Sequence, residues 1–179
     1  MKKINELDKF LESQSQNGEE AFIEYILSHI GEDNYMVELL SEGERYFSNI
    51  RYFADKPEYT GLIISPDDPD PKSKNHRIIR ENVIPILRTY QCPKRFDALS
   101  IDLNGNDYWV LDEVLTHYRP RLVVAEFNCS KSGAVAIQYD SNFKWAEDDF
   151  YGFSFEAGKK LAEKHGYYIV FQNDDINLY

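Results

Sequence analysis

Residues 96–128 read FDALSIDLNGNDYWVLDEVLTHYRPRLVVAEFN, and this stretch decides the fold. Two apolar runs, at residues 96–103 and 122–127, flank a segment at residues 108–118 whose apolar side chains recur at helical spacing. The turn NGND precedes that helix and an Arg-Pro dipeptide ends it. Two apolar strands joined by one helix predict a βαβ unit with parallel strands that are buried on both faces.

Acidic side chains lie near the ends of both predicted strands. Asp102 ends the first run, Asp107 follows the turn, and Glu126 lies near the end of the second run. In open α/β sheets the ligand crevice lies at the carboxyl ends of the strands. We therefore expect these three carboxylates to face one crevice. The alternative for Asp107 is that it only caps the helix that follows it.

Hydrophobic periodicity predicts further elements on both sides of this unit. Helices are predicted at residues 4–13, 18–30, 45–55, 82–90 and 154–165, and strands at residues 35–40, 60–65, 76–79, 167–171 and 176–179. Residues 66–75 and 129–149 are predicted to be loops, and loops as long as the second tend to be functional. The short turn between the last two strands predicts an antiparallel hairpin. The alternation of strands and helices predicts an α/β fold with a mostly parallel sheet and helices on both faces.

The composition is that of an ordinary globular chain with an acidic balance. The 179 residues suit a single domain, 42% are hydrophobic, and the net charge is −11. Because affinity for phosphate backbones comes largely from Lys and Arg, we expect no nucleic-acid partner. The absence of a signal peptide and of a long apolar stretch predicts a cytoplasmic protein with no membrane partner. The two cysteines and four histidines lack the spacing of a metal site.

The motifs of this chain resemble those of one known family. SIDLNGNDYWVLDEVL at residues 100–115, followed by YRPRLVVAEFN at residues 118–128, resembles the FkbM-like, class I S-adenosylmethionine (SAM)-dependent methyltransferase-type proteins. Their typical form is roughly SIDIDGNDYWVWKAL followed by YRPRVVVIEYN. Weaker likenesses follow in the family's order: SQNGEE at 15–20, VE at 37–38, SN at 48–49, GLII at 61–64, ENV at 81–83, YGFS at 151–154 and KHGY at 164–167. The resemblance implies one Rossmann-like methyltransferase domain over residues 1–179, with residues 1–33 as a helical lead-in.

The resemblance also implies a reaction and a set of site residues. The reaction is methyl transfer from SAM to an oxygen or nitrogen of a small molecule or a sugar. The implied cofactor site comprises Glu38, Gly43, Asn49 and Asp102, and the implied acceptor site comprises Asn104, Tyr108, Asn128 and Tyr151. The implied catalytic residues are Asp102, Asp107 and Glu126, of which Asp102 or Glu126 would position or deprotonate the acceptor. The alternatives for Glu38 and Gly43 are a cap on the next helix and an ordinary turn.

Departures from the family pattern define two alternative functions. Leu40 stands where a cofactor-turn glycine is expected, Ser65 where an acid would take the ribose hydroxyls, and Asn104 where the family has an acid. These departures favour a methyltransferase-like fold that lacks catalytic activity and acts as a binding or interaction protein. The third hypothesis is a metal-dependent enzyme, in which the acidic cluster around Asp102 and Asp107 supplies hard oxygen ligands to a divalent cation.

Overall fold

In the computed structural model, which describes residue 15 and residues 18–31, 33–43, 48–173 and 177–179, the chain forms five helices and seven strands. The strands are β1 (Tyr35–Leu40), β2 (Thr60–Ile64), β3 (Ser73–Lys74), β4 (Arg95–Asp102), β5 (Arg119–Glu126), β6 (Gln172–Asn173) and β7 (Asn177–Leu178). The helices are α1 (Glu19–Ile30), α2 (Arg51–Ala54), α3 (Val83–Thr89), α4 (Asp107–His117) and α5 (Phe155–His165). None of the helices in these ranges is both long enough and apolar enough to span a bilayer.

All seven strands belong to one mixed sheet in the order β3-β2-β1-β4-β5-β7-β6. The neighbours from β3 to β5 pair in parallel, and β7 pairs antiparallel with both β5 and β6. The predicted βαβ unit is confirmed, because β4 and β5 are parallel and α4 connects them. From β1 the chain adds strands toward one edge, and from β4 it adds them toward the other. The direction of the sheet order therefore reverses between β1 and β4.

Two hydrophobic cores cover the two faces of the sheet, and β1 shows how the sequence makes them. Val37 and Leu39 point into the core shared with α3, α4 and α5. Met36 and Leu40 point into the core shared with α1 and α2. Successive side chains of a strand point to opposite faces, so a continuous apolar run fills both cores. The prediction of helices on both faces is confirmed.

Capping residues explain why two helices begin and end where the sequence predicts. Gly31 follows α1 with φ 82°, and its N–H bonds to the carbonyl of Leu27 at 2.9 Å. Ser154 accepts a hydrogen bond from the N–H of Ala157 at the start of α5, and Gly166 ends that helix in the left-handed conformation with φ 79°. A side-chain oxygen satisfies a free helical N–H, and glycine adopts positive φ without strain.

Predictions for the edges of the sheet were partly wrong. The edge strand is β3, inside the predicted loop at residues 66–75, and residues 76–79 form no strand. Residues 167–171 form no strand either, and β6 begins at Gln172. Side chains at 167–170 do alternate between partly buried and exposed, but backbone pairing with the last strand begins only at Val170, whose N–H bonds to Tyr179 O at 2.7 Å. Strands of two residues are too short to produce a recognisable period.

The N-terminal predictions fall partly outside the described residues. The helix predicted at residues 4–13 lies wholly outside them. Of the helix predicted at residues 45–55, residues 45–47 lie outside the described residues, and the described remainder is helical only over Arg51–Ala54. At the other end of the chain, the predicted antiparallel hairpin is confirmed, because β6 pairs antiparallel with β7.

Candidate functional site

A cleft of about 680 Å³ opens at the carboxyl ends of β1, β2 and β4. Pockets that hold small ligands commonly have volumes of about 300–1,000 Å³. The turns that follow the three strands form one side, and the loop at residues 129–149 forms the other. The wall residues of these turns are Ser41, Glu42, Gly43, Pro66, Leu103, Asn104 and Asn106, and those of the loop are Phe143, Lys144, Trp145 and Glu147. Arg77 and Ile78 complete the lining.

Hydrogen bonds join the turn after β1 to the turn after β4. Ser41 N–H donates to the carbonyl of Asp102 at 2.8 Å, and the side-chain amide of Asn104 donates to Ser41 Oγ at 2.6 Å. Asn104 adopts the left-handed conformation with φ 54°, which asparagine tolerates better than most residues. Leu40 also borders the cleft, but its side chain is 1% exposed and packs into the core beneath α1 and α2.

Gly43 lies in the turn after β1 and lines the cleft. Its φ is 91°, a value that glycine adopts without strain. Its N–H donates to Asp67 Oδ2 at 3.1 Å, and Asp67 Oδ1 accepts from Ser65 Oγ at 3.2 Å. In the FkbM-like methyltransferases an acid stands directly after the second strand, at the position of Ser65 here. The first carboxylate after β2 in this chain is that of Asp67, two residues later.

Glu38 and Asn49 meet each other, but neither lines the cleft. Glu38 is fully buried, and its carboxylate accepts from the Ser48 hydroxyl and, at 2.7 Å, from the N–H of Asn49. Burial raises the pKa of Glu38, against the opposing effect of these hydrogen bonds. Ser48 Oγ accepts the N–H of Arg51 at 3.0 Å, and Asn49 donates to Ser100 Oγ at 3.0 Å. Glu38 thus holds Ser48, whose hydroxyl accepts the N–H of the first residue of α2, so the carboxylate acts on that helix through Ser48 and is not its cap.

Asp107 holds the turn that precedes it. Its carboxylate is fully buried and accepts the N–H of Leu103 at 2.6 Å through one oxygen and the N–H of Gly105 at 2.8 Å through the other. It is the first residue of α4, and these two bonds reach back to the turn before the helix. Unpaired buried N–H groups are costly, so this carboxylate fixes the shape of the cleft floor.

The sheet register brings Asp102 and Glu126 together. Ile101 pairs with Ala125, so the next residue of β4 lies beside the next residue of β5 at their carboxyl ends. Both side chains alternate away from Ile101 and Ala125 and therefore share one face of the sheet. Asp102 and Glu126 therefore lie side by side at the strand ends, but neither lines the cleft.

Tyr151 adjoins this acidic pair and links it to the cleft. Its pKa is raised to about 12, first by burial and then by negative charge from four neighbours: Glu126, Cys129, Asp149 and Asp102. The Tyr151 ring lies 5.5 Å from the ring of Trp145, centroid to centroid, and Trp145 lines the cleft. Tyr151 therefore connects the acidic residues at the ends of β4 and β5 to the cleft wall through its contact with Trp145.

The two remaining predicted acceptor residues have packing and anchoring roles. Asn128 is 1% exposed and donates to the carbonyls of Asp149 at 3.0 Å and Tyr151 at 3.1 Å, so it anchors the end of the 129–149 loop. Tyr108 packs edge-on against Phe153 at a centroid distance of 5.9 Å and does not line the cleft.

Sequence reasoning missed the loop residues and Arg77 as parts of the cleft wall. Phe143 lies so close to Gly105 that an added Cβ there would meet its ring carbons at 2.3 Å. The available signal was the unusual length of the 129–149 loop together with its aromatic residues, since long ordered loops tend to be functional. Which strand ends such a loop covers depends on the tertiary fold and not on local pattern.

Two further findings concern ligands and relatives. In the described ranges, no group of three or more His, Cys, Asp and Glu side chains is arranged to hold a metal ion. Comparisons of the chain with protein-family models, with curated proteins and with solved structures found no match.

Proposed function

We propose that this chain is a class I SAM-dependent methyltransferase that acts on an oxygen or nitrogen of a small molecule or sugar, in the cytoplasm. The observation that carries the proposal is the position of the cleft. It lies at the carboxyl ends of β1, β2 and β4, where the sheet order reverses, and ligands of open α/β sheets bind at that point. A mostly parallel sheet with a late antiparallel strand also agrees with the Rossmann-like methyltransferase fold that the motifs at residues 100–128 imply.

The residues of the cleft suit the parts of SAM. Leu103 and Ile78 with the rings of Phe143 and Trp145 give apolar and aromatic walls for an adenine base. Asp67, beside the Gly43 turn, offers a carboxylate to the ribose hydroxyls. SAM would supply a methyl group on a positively charged sulfonium, and nearby carboxylates favour a cation.

The acidic pair at the ends of β4 and β5 gives the acceptor side of the site. Asp102 or Glu126 would take the proton from the acceptor O–H or N–H, since a general base must lie within hydrogen-bond reach of that proton. Tyr151 adjoins this pair and its ring contacts Trp145 of the cleft wall, so the two rings would flank the path from the base to the cofactor. Holding the two reactants in one orientation would supply much of the rate.

Calorimetric titration with SAM and with its demethylated product S-adenosylhomocysteine, with and without Mg²⁺, tests the proposal. We expect micromolar binding to the wild type. Ser41→Trp places an indole in the cleft wall and should weaken binding at least about tenfold, since it fills ligand volume. Ser28→Trp, the same change on the exposed face of α1, should bind as the wild type does. Failure of both nucleosides to bind the wild type at millimolar concentration would overturn the proposal.

A second candidate function is a non-catalytic binding protein with this fold. The observation that favours it is that the Gly43 N–H, which could serve a cofactor, is already bonded to Asp67. The titration separates the candidates, because this one requires that neither nucleoside binds. Binding that appears only with Mg²⁺ would instead support the metal-dependent alternative at Asp102 and Asp107.

A further inference from the structure

Residues 141–148 form the outer wall of the cleft. Four of them line the cleft: Phe143, Lys144, Trp145 and Glu147. All residues from 144 to 148 are exposed. Glu147 adopts φ 60°, an unusual conformation for a residue with a side chain.

Both ends of this segment are anchored by buried asparagine side chains. Before the segment, the side-chain amide of Asn106 donates to the carbonyl of Asp140 at 2.8 Å. After it, the amide of Asn128 donates to the carbonyls of Asp149 and Tyr151. Asn106 is 6% exposed and Asn128 is 1% exposed, so both anchors belong to the rigid part of the fold. The two ends of the segment are therefore fixed to the rigid part of the fold.

The middle of the segment is held mainly at Phe143. Its ring lies on Gly105, in the turn after β4, and its carbonyl accepts a hydrogen bond from the Arg77 guanidinium at 3.1 Å. The ring of Trp145 contacts Tyr151 near the second anchor. Lys144, Ala146 and Glu147 make no hydrogen bond or ion pair with any described residue. Little therefore has to break for the segment to leave the cleft, and segments of low local stability open readily.

We propose that residues 141–148 are a lid, which closes over a bound ligand and is latched by the Phe143 ring on Gly105. This inference rests on the proposed function, because it takes the cleft to be the ligand site. A ligand in the cleft would touch lid residues as well as the strand-end turns, so binding would favour the closed lid.

Gly105 allows the latch to be disturbed without disturbing the turn. Its backbone is not in the left-handed region, so alanine is compatible with the turn conformation. The added Cβ would meet the ring of Phe143, a side chain on a surface segment, which can yield outward. Gly105→Ala should therefore hold the lid open, and Phe143→Ala should release it by removing the ring. Tyr168→Ala removes an aromatic ring that is 79% exposed and does not line the cleft, and is the control.

Limited trypsin digestion of the full chain, with mass identification of the cut after Lys144, measures lid opening. We expect Gly105→Ala and Phe143→Ala to be cut there about tenfold faster than the wild type and Tyr168→Ala to be cut at the wild-type rate, because cleavage requires the segment to open. S-adenosylhomocysteine should slow the cut in the wild type. Equal rates in the wild type and both latch variants would overturn the lid.

The same experiment separates failure of the lid from failure of the proposed function. If calorimetry shows that S-adenosylhomocysteine binds but the cut after Lys144 is not slowed, the lid inference is overturned and the methyltransferase proposal stands. If the nucleoside does not bind, faster cutting of the two latch variants still supports a latched segment over a cleft for another ligand.

Discussion

Replacing Gly61 with alanine should destabilise the fold strongly, because the new Cβ would meet backbone that cannot move aside. Gly61 lies in β2 and pairs with Met36 of β1. An added Cβ would lie 2.1 Å from the carbonyl oxygen of Met36 and 3.0 Å from its carbonyl carbon. Normal contact would require the two strands to separate by about 1 Å at this point, with loss of nearby ladder hydrogen bonds worth about 1 kcal/mol each. Overpacking itself costs about 1–3 kcal/mol.

We therefore expect Gly61→Ala to lower the free energy of unfolding by about 3 kcal/mol, measured by urea denaturation. For a chain of this size the melting temperature would fall by about 6–12 °C. The matched control is Gly158→Ala in α5, where the added Cβ meets only side-chain ends, Phe153 Cε2 at 2.7 Å and Leu178 Cδ1 at 2.8 Å.

Phe153 is 1% exposed, so its ring must repack at a cost of about 1–3 kcal/mol, but alanine is favoured over glycine in a helix by about 1 kcal/mol, so the control should lose about 1 kcal/mol, less than Gly61→Ala. Both substitutions add one methyl group. The difference between their losses of stability therefore measures how much more a clash with backbone costs than a clash with side chains. Equal losses in the two variants, or a loss below about 1 kcal/mol for Gly61→Ala, would refute the reasoning.

Two further predictions concern the buried carboxylates, and urea denaturation checks both. Glu38→Ala should lower the free energy of unfolding by about 3 kcal/mol, because the Ser48 hydroxyl and the Asn49 N–H lose their acceptor. Glu38→Gln keeps one acceptor oxygen and should lower it by no more than about 1 kcal/mol at neutral pH. Burial raises the pKa of Glu38 above its ordinary 4.5, so the folded state binds this proton more tightly than the unfolded state does. As pH rises from 4.5 through the raised pKa, the stability of the wild type should therefore fall relative to that of Glu38→Gln. A difference in stability that does not change with pH would contradict this. Asp107→Ala should lower the free energy of unfolding by about 2–3 kcal/mol, because the N–H groups of Leu103 and Gly105 lose their acceptors. Asp107→Asn keeps one oxygen and should lower it by about half as much. Equal losses in the two variants would argue that the two oxygens do not each accept one N–H.

The central part of the fold was predictable because its signals are local. The long apolar runs of β4 and β5, the NGND turn and the helical spacing of α4 all lie within residues 96–128, and the observed element bounds differ from the predicted ones by three residues at most. The glycines and Ser154 at helix ends act on adjacent backbone, so the sequence is enough to predict them.

The remaining features depend on partners that are distant along the chain. β3 is two residues long and exists because it lies beside β2, so no period marks it. Asp107 faces its preceding turn because the N–H groups of Leu103 and Gly105 point toward it, a geometry that residue type alone does not specify. Phe143 reaches Gly105 only because the 129–149 loop folds back over the strand ends.

The pairing of β4 with β5 bears on the sequence in which the strands pair during folding. Arg95 pairs with Arg119 across α4, whereas Met36 of β1 pairs with Ala98 across a loop more than twice as long. The entropy lost when a loop closes rises with its length, so the pairing of β4 with β5 costs less to form than the pairing of β1 with β4. After β4 has paired with β5, the other edge of β4 is available to pair with β1. That second pairing brings together the two turns that border the cleft.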